Sequence, residues 1–385
     1  MKGTRIRLCL AVLVAVLALP LCSFAFDGTV TFGAVAPLSG TNIMVGDFVK
    51  NGILLAQKHI NERGGILGKE LKIVFEDEVD NLQASVNAMT KVMNYPDVVA
   101  FFGSTYSAYC IAASPIVLQN KITMFAGGSS ANIPKEKNPY VWQVRMTDDQ
   151  SGLLMAKAAT QIIGMKNPAI LYIQESFGTG LMTQTVAALK NLGVEVKEQN
   201  LYAHNPDEKQ FSPILTQIMN SDVDGLIGID HQMPAAIISM QATAAGIDLP
   251  LLGSSSFASV VARETAKEAA DGWMGVADWT PDVTTPAGKA FAESYREEYK
   301  GKPDSDMPAV TAYDSLILFA EACKIANTTT DKEAINNALQ KIKAFPGAMS
   351  TYSYADNHCF STSQFLTVNE NSRAVLKDVV YTREP

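Results

Sequence analysis

The sequence predicts an α/β protein made of two doubly wound lobes. Strand-like and helix-like segments alternate from Phe32 onward, as in parallel sheets that are covered by helices on both faces. The chain of 385 residues is also too long for one ordinary hydrophobic core and suits two domains. We therefore expect two Rossmann-like lobes, joined by several crossover segments that serve as a hinge.

The first part of the alternation, residues 32–77, reads as a βαβ unit. The strand that begins at Phe32 (FGAVAPLSG) leads into a helix over residues 46–60. Apolar residues recur along this helix at the spacing of one buried face: Val49, Ile53, Ala56 and Ile60. Gly64 and Gly65 then supply the positive φ values that end a helix, and the strand LKIVFED follows.

Two series of alternating segments continue from this unit. The first comprises helix 81–94, strand 98–102, helix 108–119 and strand 121–125. The second comprises helix 149–163, strand 168–173, helix 179–192, strand 194–202, helix 208–220, strand 223–229, helix 233–245 and strand 250–254. Because each series alternates strands with helices, each predicts one doubly wound lobe.

The tail of the chain contains further segments of both kinds. They are strand 271–279, helices 286–300, 308–326 and 331–343, and strands near 360–367 and 374–381.

The βαβ unit resembles the opening of the branched-chain amino-acid (Leu/Ile/Val) binding proteins, the type I periplasmic solute-binding proteins that feed ABC importers. The matching residues are Gly33, Pro37, Leu38, Ser39, Gly40, Gly46, Asn51, Gly52, Ile60, Asn61, Gly64, Gly65, Ile66, Gly68 and Asp77. Weaker matches extend over nearly all of the chain after residue 25. The resemblance implies a monomer whose two lobes close over a small ligand and deliver it to a membrane ABC permease.

The resemblance also covers the tail. Segment 271–279 resembles the strand by which the family returns to its first lobe. The resemblance implies that the tail helices cover the first lobe, that the last strands cross back to the second, and that no third domain forms. The predicted division is a signal peptide over 1–25, a first lobe of 27–147 plus 280–353, and a second lobe of 148–279 plus 354–385.

Residues 1–25 are typical of a secretory signal peptide. A basic start precedes an apolar run, residues 8–21, that is shorter than the roughly 18 residues of a membrane span. Ser23 and Ala25 are small residues at the −3 and −1 positions, so we expect cleavage before Phe26 and release into the periplasm. Lipid anchoring at Cys22 is the alternative, but Leu21 stands where a lipidation signal requires a small residue.

The charge and the cysteines of the predicted mature chain limit its partners. Loss of residues 1–25 leaves 28 basic and 39 acidic residues without a basic stripe, which disfavours nucleic acid as a partner. Cys110, Cys323 and Cys359 remain. A disulfide between Cys323 and Cys359 and a set of three buried thiols are both open alternatives.

Loops rich in serine and glycine follow two neighbouring strands. GSTYSAY (103–109) follows strand 98–102, and AGGSSAN (126–132) follows strand 121–125. Ligands bind at the carboxyl ends of parallel strands, where hydroxyl groups and helix N-termini suit a carboxylate. The alternative is that these residues only cap helices.

The family resemblance gives these loops specific roles. It places the carboxylate-binding serine at Ser107, and the later backbone and hydroxyl contacts at Gly128 and Ser130, with Ser129 between them. It also places Val45 where relatives often carry a side chain that walls the ligand. We expect these residues to form the wall of the site that the first lobe supplies.

The second lobe is predicted to supply the opposite wall. The loop ESFGTGL (175–181) resembles an aromatic-Gly-x-Gly segment of the family, which places Phe177 where relatives usually have a ligand-touching tyrosine. His231 or Gln232 falls on another family contact. An ordinary apolar contact for Phe177 and a surface or capping role for His231 are the alternatives.

The largest departure from the family is at Ser255. The resemblance places there the acidic residue that pairs with the ammonium group of an amino acid, and a buried ammonium without a carboxylate is costly. Either Asp230 supplies the charge from the adjacent loop, or the ligand has no ammonium group. In the second case, aromatic residues that could equally be core would face an aromatic or alkyl carboxylate: Tyr106, Tyr109, Phe177 and Trp279.

Enzyme motifs are absent from the sequence. No HExxH or paired CxxC pattern occurs, and GGILGK (64–69) lacks both the spacing and the Ser or Thr of a phosphate loop. LLGSSSFAS (251–259) lacks the second glycine of a nucleophile elbow. We therefore predict a binding protein that is not an enzyme, without metal or organic cofactor. A ligand-sensing receptor domain and an exported hydrolase are the alternatives from other classes.

Overall fold

The computed structural model describes residues 26–282, 285–360, 362–371 and 373–382. The predicted signal peptide, with Cys22, lies outside the described residues. In the described part of the chain the strands form two seven-stranded sheets and one two-stranded sheet. The predicted α/β class with two lobes is confirmed.

The first lobe begins with alternating strands and helices. Its elements are β1 (Thr29–Ala36), α1 (Ile43–Glu62), β2 (Glu70–Asp77), α2 (Leu82–Met93), β3 (Val98–Phe102), α3 (Ser107–Asn120), β4 (Thr123–Ala126), α4 (Asn132–Lys135) and β5 (Val141–Gln143). The apolar face that the sequence predicts for α1 is buried: Val49, Ile53, Ala56 and Ile60 all lie in the core. The βαβ unit is thus formed as its periodicity predicts.

The second series forms the other lobe. Its elements are α5 (Asp148–Lys157), β6 (Ala169–Ile173), α6 (Ser176–Asn191), β7 (Leu201–His204), α7 (Ser212–Met219), β8 (Leu226–Ile229), α8 (Gln232–Ala245), β9 (Leu251–Gly253), α9 (Val260–Ala266) and β10 (Met274–Ala277). The predicted strand 194–202 is wrong over most of its length. Among the described strands β7 pairs with β6 alone, and that pairing begins at Leu201 opposite Ile170.

The tail adds three helices and six strands within the described residues. They are α10 (Pro286–Glu298), α11 (Met307–Ala326), α12 (Lys332–Ala338), β11 (Phe345–Pro346), β12 (Thr351–Tyr352), β13 (Tyr354–Asp356), β14 (Cys359–Phe360), β15 (Ser363–Glu370) and β16 (Arg373–Thr382). Helix α11 packs so closely on α1 that a Cβ atom on Gly52 would lie only 2.0 Å from the Ala309 carbonyl oxygen.

The two large sheets have corresponding strand orders. The first runs β13-β14-β5-β4-β3-β1-β2 and the second runs β16-β15-β10-β9-β8-β6-β7. Strands β1 to β5 pair in parallel, as do β6 to β10, and the order reverses direction at β1 and at β6. In such sheets the carboxyl ends of the strands beside the reversal are the usual place for a ligand.

One boundary of the predicted lobes is wrong. The second lobe was predicted to resume at residue 354, but β13 and β14 extend the first sheet, since β14 pairs with β5. The ring of Trp142 also packs against those of His358 and Phe360, at centroid distances of 4.8 and 5.4 Å. The chain therefore returns to the second sheet only after Phe360, where β15 pairs with β10. The rest of the predicted division stays a prediction.

The cysteines in the described part of the chain form no disulfide. Cys110, Cys323 and Cys359 are all buried thiols. The thiol of Cys359 lies 3.5 Å from the Gln143 side-chain oxygen, within the first lobe. The structure therefore has the three buried thiols that the sequence left as one of two alternatives.

In the part of the chain that the structure describes, no helix is both long enough and apolar enough to cross a bilayer.

Candidate functional site

A small cavity lies between the carboxyl ends of the strands of the two lobes. Its volume is about 20 Å³, and its walls come from both lobes: Thr105, Tyr106, Ser107, Ser129, Arg145, Phe177, His231, Gln232, Ser255, Ser256 and Met307. A volume of this size holds little more than one water molecule. A ligand of amino-acid size therefore requires the lobes or the lining side chains to move apart.

Six of the predicted site residues line this cavity, namely Tyr106, Ser107, Ser129, Phe177, His231 and Ser255. The other four do not: Val45, Gly128, Ser130 and Asp230. Val45 is instead fully buried in the core of the first lobe, on α1. Its apolar side chain supports the sheet and does not wall the cavity.

The N-terminus of α3 opens onto the cavity. Ser107 is the first residue of this helix, and the preceding Tyr106 has an extended backbone (φ −95°, ψ 124°) and makes no side-chain capping bond. The N–H groups of an uncapped first turn carry partial positive charge and seek an acceptor. The Ser107 hydroxyl accepts a hydrogen bond from the Ser130 N–H at 3.1 Å, which leaves its own hydrogen for another acceptor.

A buried acid that the sequence analysis missed holds this loop. One carboxyl oxygen of Glu78 accepts from the Ser104 hydroxyl at 3.1 Å, and the other accepts from the Ser85 hydroxyl at 2.7 Å. Ser104 in turn accepts from the Tyr106 N–H at 3.1 Å. Burial raises the pKa of Glu78 to about 8, so this carboxyl is mostly neutral at pH 7 and adds little negative charge behind the helix N-terminus.

The second serine-rich loop packs directly against the first. A Cβ atom on Gly128 would lie 2.7 Å from the Cα of Ser107, so only glycine allows this approach. The Gly128 carbonyl accepts from the Gln143 side chain at 2.9 Å. Ser130 is buried behind the cavity, and its hydroxyl reaches the carbonyl of Ser176 on α6 at 3.5 Å. Gly128 therefore shapes the loop within the first lobe, and Ser130 contacts the other lobe.

Three rings from the two lobes meet at the cavity. The His231 ring stacks on Phe177, with centroids 5.3 Å apart, and meets the edge of Tyr106 from the first lobe at 4.9 Å. The Nε2 atom of His231 lies 3.3 Å from a carboxylate oxygen of Glu175. Burial disfavours the imidazolium, but the hydrogen bond and charge of Glu175 outweigh it and raise the pKa of His231.

Asp230 is not available as the missing ammonium partner. Its carboxylate points away from the cavity and is occupied by two donors, the His204 ring at 2.6 Å and the His231 N–H at 2.8 Å. Among the alternative aromatic residues, Trp279 is buried in the core of the first lobe and donates to the Ser305 hydroxyl at 3.2 Å. Tyr109 packs on Tyr106 and does not line the cavity.

An ion pair between Arg145 and Asp278 lies beneath Ser255 and was missed from the sequence. The guanidinium group of Arg145 donates to the Ser255 hydroxyl at 3.1 Å and to the carboxylate of Asp278. The other Asp278 oxygen accepts from the Gln364 side chain at 3.0 Å. Arg145 and Asp278 each follow the last strand before a crossover between the lobes. The sequence signal that could have identified them is a charged residue inside an apolar run: Arg145 in VWQVRMT and Asp278 in MGVADWT.

A second missed acid is Asp148, the first residue of α5. It is fully buried, and neither of its carboxylate oxygens has a hydrogen-bond partner among the described residues. It lines a smaller space of about 10 Å³ that shares Ser129, Arg145, Phe177 and Ser255 with the main cavity. Burial raises the pKa of Asp148 to about 7, although the neighbouring Ser129 hydroxyl and then the charge of Arg145 oppose part of that shift.

Two lobes that enclose a small polar cavity at their strand ends define a solute-binding protein of the two-domain kind. The chain belongs to the periplasmic binding protein family, whose model matches residues 29–373, and within that family to the type I, Leu/Ile/Val-binding group. The family resemblance seen in the sequence is thereby confirmed.

Individual relatives are similar over most of the chain. The Leu/Ile/Val-binding protein BraC3 of Rhizobium johnstonii is 25% identical over 338 residues, which cover 87% of this chain and 90% of that protein. The solved leucine-binding protein LivK of Thermotoga maritima has a TM-score of 0.83 at 24% identity, covering 91% of this chain and 98% of that one. A solute-binding protein from R. palustris, solved with benzoate, has a TM-score of 0.83 at 19% identity, covering 91% and 95%.

These relatives and structural neighbours are solute-binding proteins and not enzymes, in agreement with the prediction from the sequence. The role of this chain is accordingly the binding of a small solute. Over the described residues, no group of His, Cys, Asp or Glu side chains is arranged to hold a metal ion.

Proposed function

We propose that this protein is the periplasmic substrate-binding component of an ABC importer. It captures a small carboxylate-bearing ligand, an amino acid with the branched-chain type as the first candidate, and delivers it to a membrane permease. The observation that carries this proposal is the uncapped N-terminus of α3, with the Ser107 and Ser129 hydroxyls, opening onto a cavity between two lobes. Such an arrangement offers several N–H and O–H donors to one anion.

The two lobes divide the work of recognition in this proposal. The N-terminus of α3 with Ser107 and Ser129 holds the carboxylate of the ligand. Phe177 and His231 on the other lobe contact the remainder of the molecule. Because the ligand contacts both lobes only when they are closed, it stabilises the closed state, which the permease then recognises.

The place of action follows from the family and from the predicted leader. The Leu/Ile/Val-binding relatives support a periplasmic protein that works with an ABC permease. Export through the signal peptide at residues 1–25, with cleavage and no lipid at Cys22, belongs to this proposal.

A second candidate ligand is an aromatic or other non-amino carboxylate. Ser255, which stands where the family carries its acid, accepts a hydrogen bond from Arg145, so a cation occupies the expected ammonium position. The three rings at the cavity suit an aromatic ligand equally well. The structural neighbour from R. palustris was solved with benzoate.

A thermal-shift screen on refolded, ligand-stripped mature protein tests the proposal. L-amino acids are set beside their deaminated acids and benzoate. A ligand that binds only the folded protein raises the melting temperature. At a ligand concentration 100 times the Kd, the free energy of unfolding increases by about 2.7 kcal/mol. We expect at least one carboxylate to produce this shift and the matching amide or ester to fail. Shifts by neutral analogues equal to those of the acids would contradict a carboxylate site.

The Ser107→Ala variant tests the carboxylate contact. We expect binding of the ligand found in the screen to weaken by about 1–3 kcal/mol, since a hydrogen bond to a charged group is lost. Isothermal titration calorimetry measures this change. Ser212→Ala is the matched control, because Ser212 also begins a helix, α7, but is exposed and outside the cavity. Equal affinities in both variants and the parent protein would remove Ser107 from the site.

A further inference from the structure

A second cavity lies in the first lobe, away from the cleft. Its volume is about 460 Å³, against about 20 Å³ for the cavity between the lobes. Pockets for small ligands have volumes of about 300–1,000 Å³, so this one has room for an organic molecule. Its walls come from α1, α10 and α11 and from the segment that begins with β11. We call it the outer pocket, and its polar side chains are those of His59, Arg63, Ser294, Tyr313 and Lys324.

The outer pocket lies at the end of the first lobe opposite the cleft. Helix α1 begins at Ile43, after the carboxyl end of β1, and runs back over 20 residues. His59 is in its last turn, roughly 24 Å along the helix from Ile43 at 1.5 Å per residue. The residues that line the outer pocket and those that line the cleft cavity are two separate sets. A molecule in the outer pocket therefore does not touch the cleft.

Most of the wall of the outer pocket is apolar. Its larger apolar side chains include Ile60, Phe291 and Ile317, and its short ones include Ala290 and Ala320. Because protein interiors are closely packed, longer side chains at the alanine positions would fill this space, so the short ones keep it open. An apolar ligand group that leaves water for this wall gains about 25 cal/mol per Å² of buried area.

The charged residues that line the outer pocket are all basic. They are His59, Arg63 and Lys324, and the described lining residues include no Asp or Glu. This is an exception in a chain with 31 basic and 39 acidic residues. Lys324 has Glu321 at 3.6 Å on the same helix, whereas the exposed Arg63 guanidinium group forms no hydrogen bond or ion pair among the described residues. Its N–H donors are therefore available to a ligand.

His59 adds a second donor beside Arg63. Its Nδ1 atom lies 2.9 Å from the Tyr313 hydroxyl, and the two rings meet edge-on with centroids 5.8 Å apart. When the hydroxyl donates to Nδ1, the single N–H of the neutral ring is at Nε2. The half-buried ring of His59 is thus held by Tyr313 and can donate to a ligand through Nε2.

The basic side chains are not required to cap the helices that carry them. At the end of α1, the Gly65 N–H donates to the Ile60 carbonyl at 2.9 Å. At the end of α11, the Thr328 N–H donates to the Cys323 carbonyl at 3.2 Å. Backbone bonds of this kind satisfy carbonyl groups that lack a partner within the helix. The guanidinium group of Arg63 therefore has no capping role that would occupy it.

We propose that the outer pocket is a second binding site, separate from the cleft, for an amphipathic organic anion such as a medium-chain carboxylate. Arg63 and the Nε2 atom of His59 bind the carboxylate at the rim of the pocket. The alkyl chain lies along Ile60, Phe291 and Ile317. This site does not depend on the proposed function, because no residue of the cleft takes part in it.

NMR spectra of the histidine rings test the proposal. The sequence has four histidines, of which His59 lines the outer pocket and His231 lines the cleft. The mature protein is titrated with octanoate, with neutral 1-octanol and with cationic octyltrimethylammonium, and His59→Gln assigns the His59 signal. We expect octanoate to shift the His59 signal at lower concentration than 1-octanol does, and octyltrimethylammonium to leave it unchanged.

The titration of His59 in the same spectra reports the charge of the bound molecule. Burial and then the charge of Arg63 lower the pKa of His59 in the empty pocket. The other charged groups that face the ring are Glu62, Lys58 and Glu298. A carboxylate bound beside the ring favours the imidazolium, so octanoate should raise the pKa of His59. A pKa that octanoate leaves unchanged would contradict the proposed contact.

Two variants and one control locate the binding site. Arg63→Gln should weaken octanoate binding by about tenfold, since hydrogen bonds to a charged group are lost. Ala290→Phe should remove the response of His59, because the larger side chain fills the pocket. Lys50→Gln is the matched control for Arg63→Gln: Lys50 is also an exposed cation on α1, but it does not line the pocket.

The outcomes separate this inference from the proposed function. A response of His231 alone to octanoate overturns the outer pocket and leaves the proposed function intact. Equal responses of His59 to octanoate and 1-octanol, or equal octanoate affinities in Arg63→Gln and Lys50→Gln, overturn the anion site. Both of these variants change exposed side chains, so the test does not depend on the folding of Ala290→Phe. A response of His59 in a protein whose cleft binds no carboxylate supports this inference and overturns the proposed function.

Discussion

Replacing Asp278 with alanine is expected to lower the free energy of unfolding by about 3–5 kcal/mol. Both members of its pair with Arg145 are buried, with side-chain exposures of 1% and 6%. Removing the carboxylate leaves the guanidinium group in the interior without a counter-charge, and the Gln364 amide loses its acceptor as well. Urea unfolding of the ligand-free protein measures this loss.

A double variant separates the pair from its surroundings. Asp278→Leu with Arg145→Met replaces both charges with apolar side chains of similar volume, which is often neutral or even stabilising for a buried ion pair. We expect it to be within about 1 kcal/mol of the parent protein, because no charge is left unpaired. A loss in the free energy of unfolding below about 1 kcal/mol for Asp278→Ala would contradict this expectation. It would show that water solvates the Arg145 guanidinium group once the carboxylate is removed.

Replacing Trp142 with alanine is the second large expected effect, a loss of about 3–5 kcal/mol in the free energy of unfolding. The Trp142 side chain is fully buried on β5. Its indole N–H donates to the Asn336 side chain at 2.9 Å, and its ring packs against His358 and Phe360. The substitution therefore opens a cavity between the first sheet and the segment that extends it. It also removes one of the two hydrogen bonds to the Asn336 side-chain oxygen, which keeps the one from the Thr123 hydroxyl at 3.0 Å.

The location of this effect is as informative as its size. Hydrogen exchange should show protection lost first in β13 and β14, since they pair at the sheet edge beside β5. Trp142→Phe is the control, because it keeps most of the ring contact and loses only the hydrogen bond to Asn336, about 1 kcal/mol. Equal losses in the two variants would assign the effect to that hydrogen bond and not to packing.

Much of the fold could be predicted because its signals are local. The 3.6-residue period of α1 and the two glycines after it are properties of adjacent residues, and the structure reproduces them. The loops with Ser107 and Ser129 could be placed at the cavity because parallel strands bring their carboxyl ends to one edge. The same rule, with the family resemblance, placed Phe177 and His231 on the opposite wall.

The errors share another origin. Asp230 follows a strand end, as a site residue should, but its carboxylate turns to His204, which lies 26 positions earlier in the chain. The segment before β7 alternates like a strand, but none of the strands in the described part of the chain pairs with it. In both cases the local sequence pattern is typical of the predicted role. Pairing with residues that are distant in sequence, or its absence among the described residues, determines the structure instead.

The class of this protein follows from its sequence alone: two lobes of alternating strands and helices, with hydroxyl-rich loops at their strand ends. It does so because periodicity, glycine positions and strand order depend on neighbouring residues. Which acid in the cleft stays outside an ion pair was fixed by the tertiary packing. Asp278 is paired with Arg145, 133 positions away, and Asp148 forms no ion pair among the described residues. Side-chain partners are chosen by the packing of distant segments, and a linear pattern does not encode that packing residue by residue.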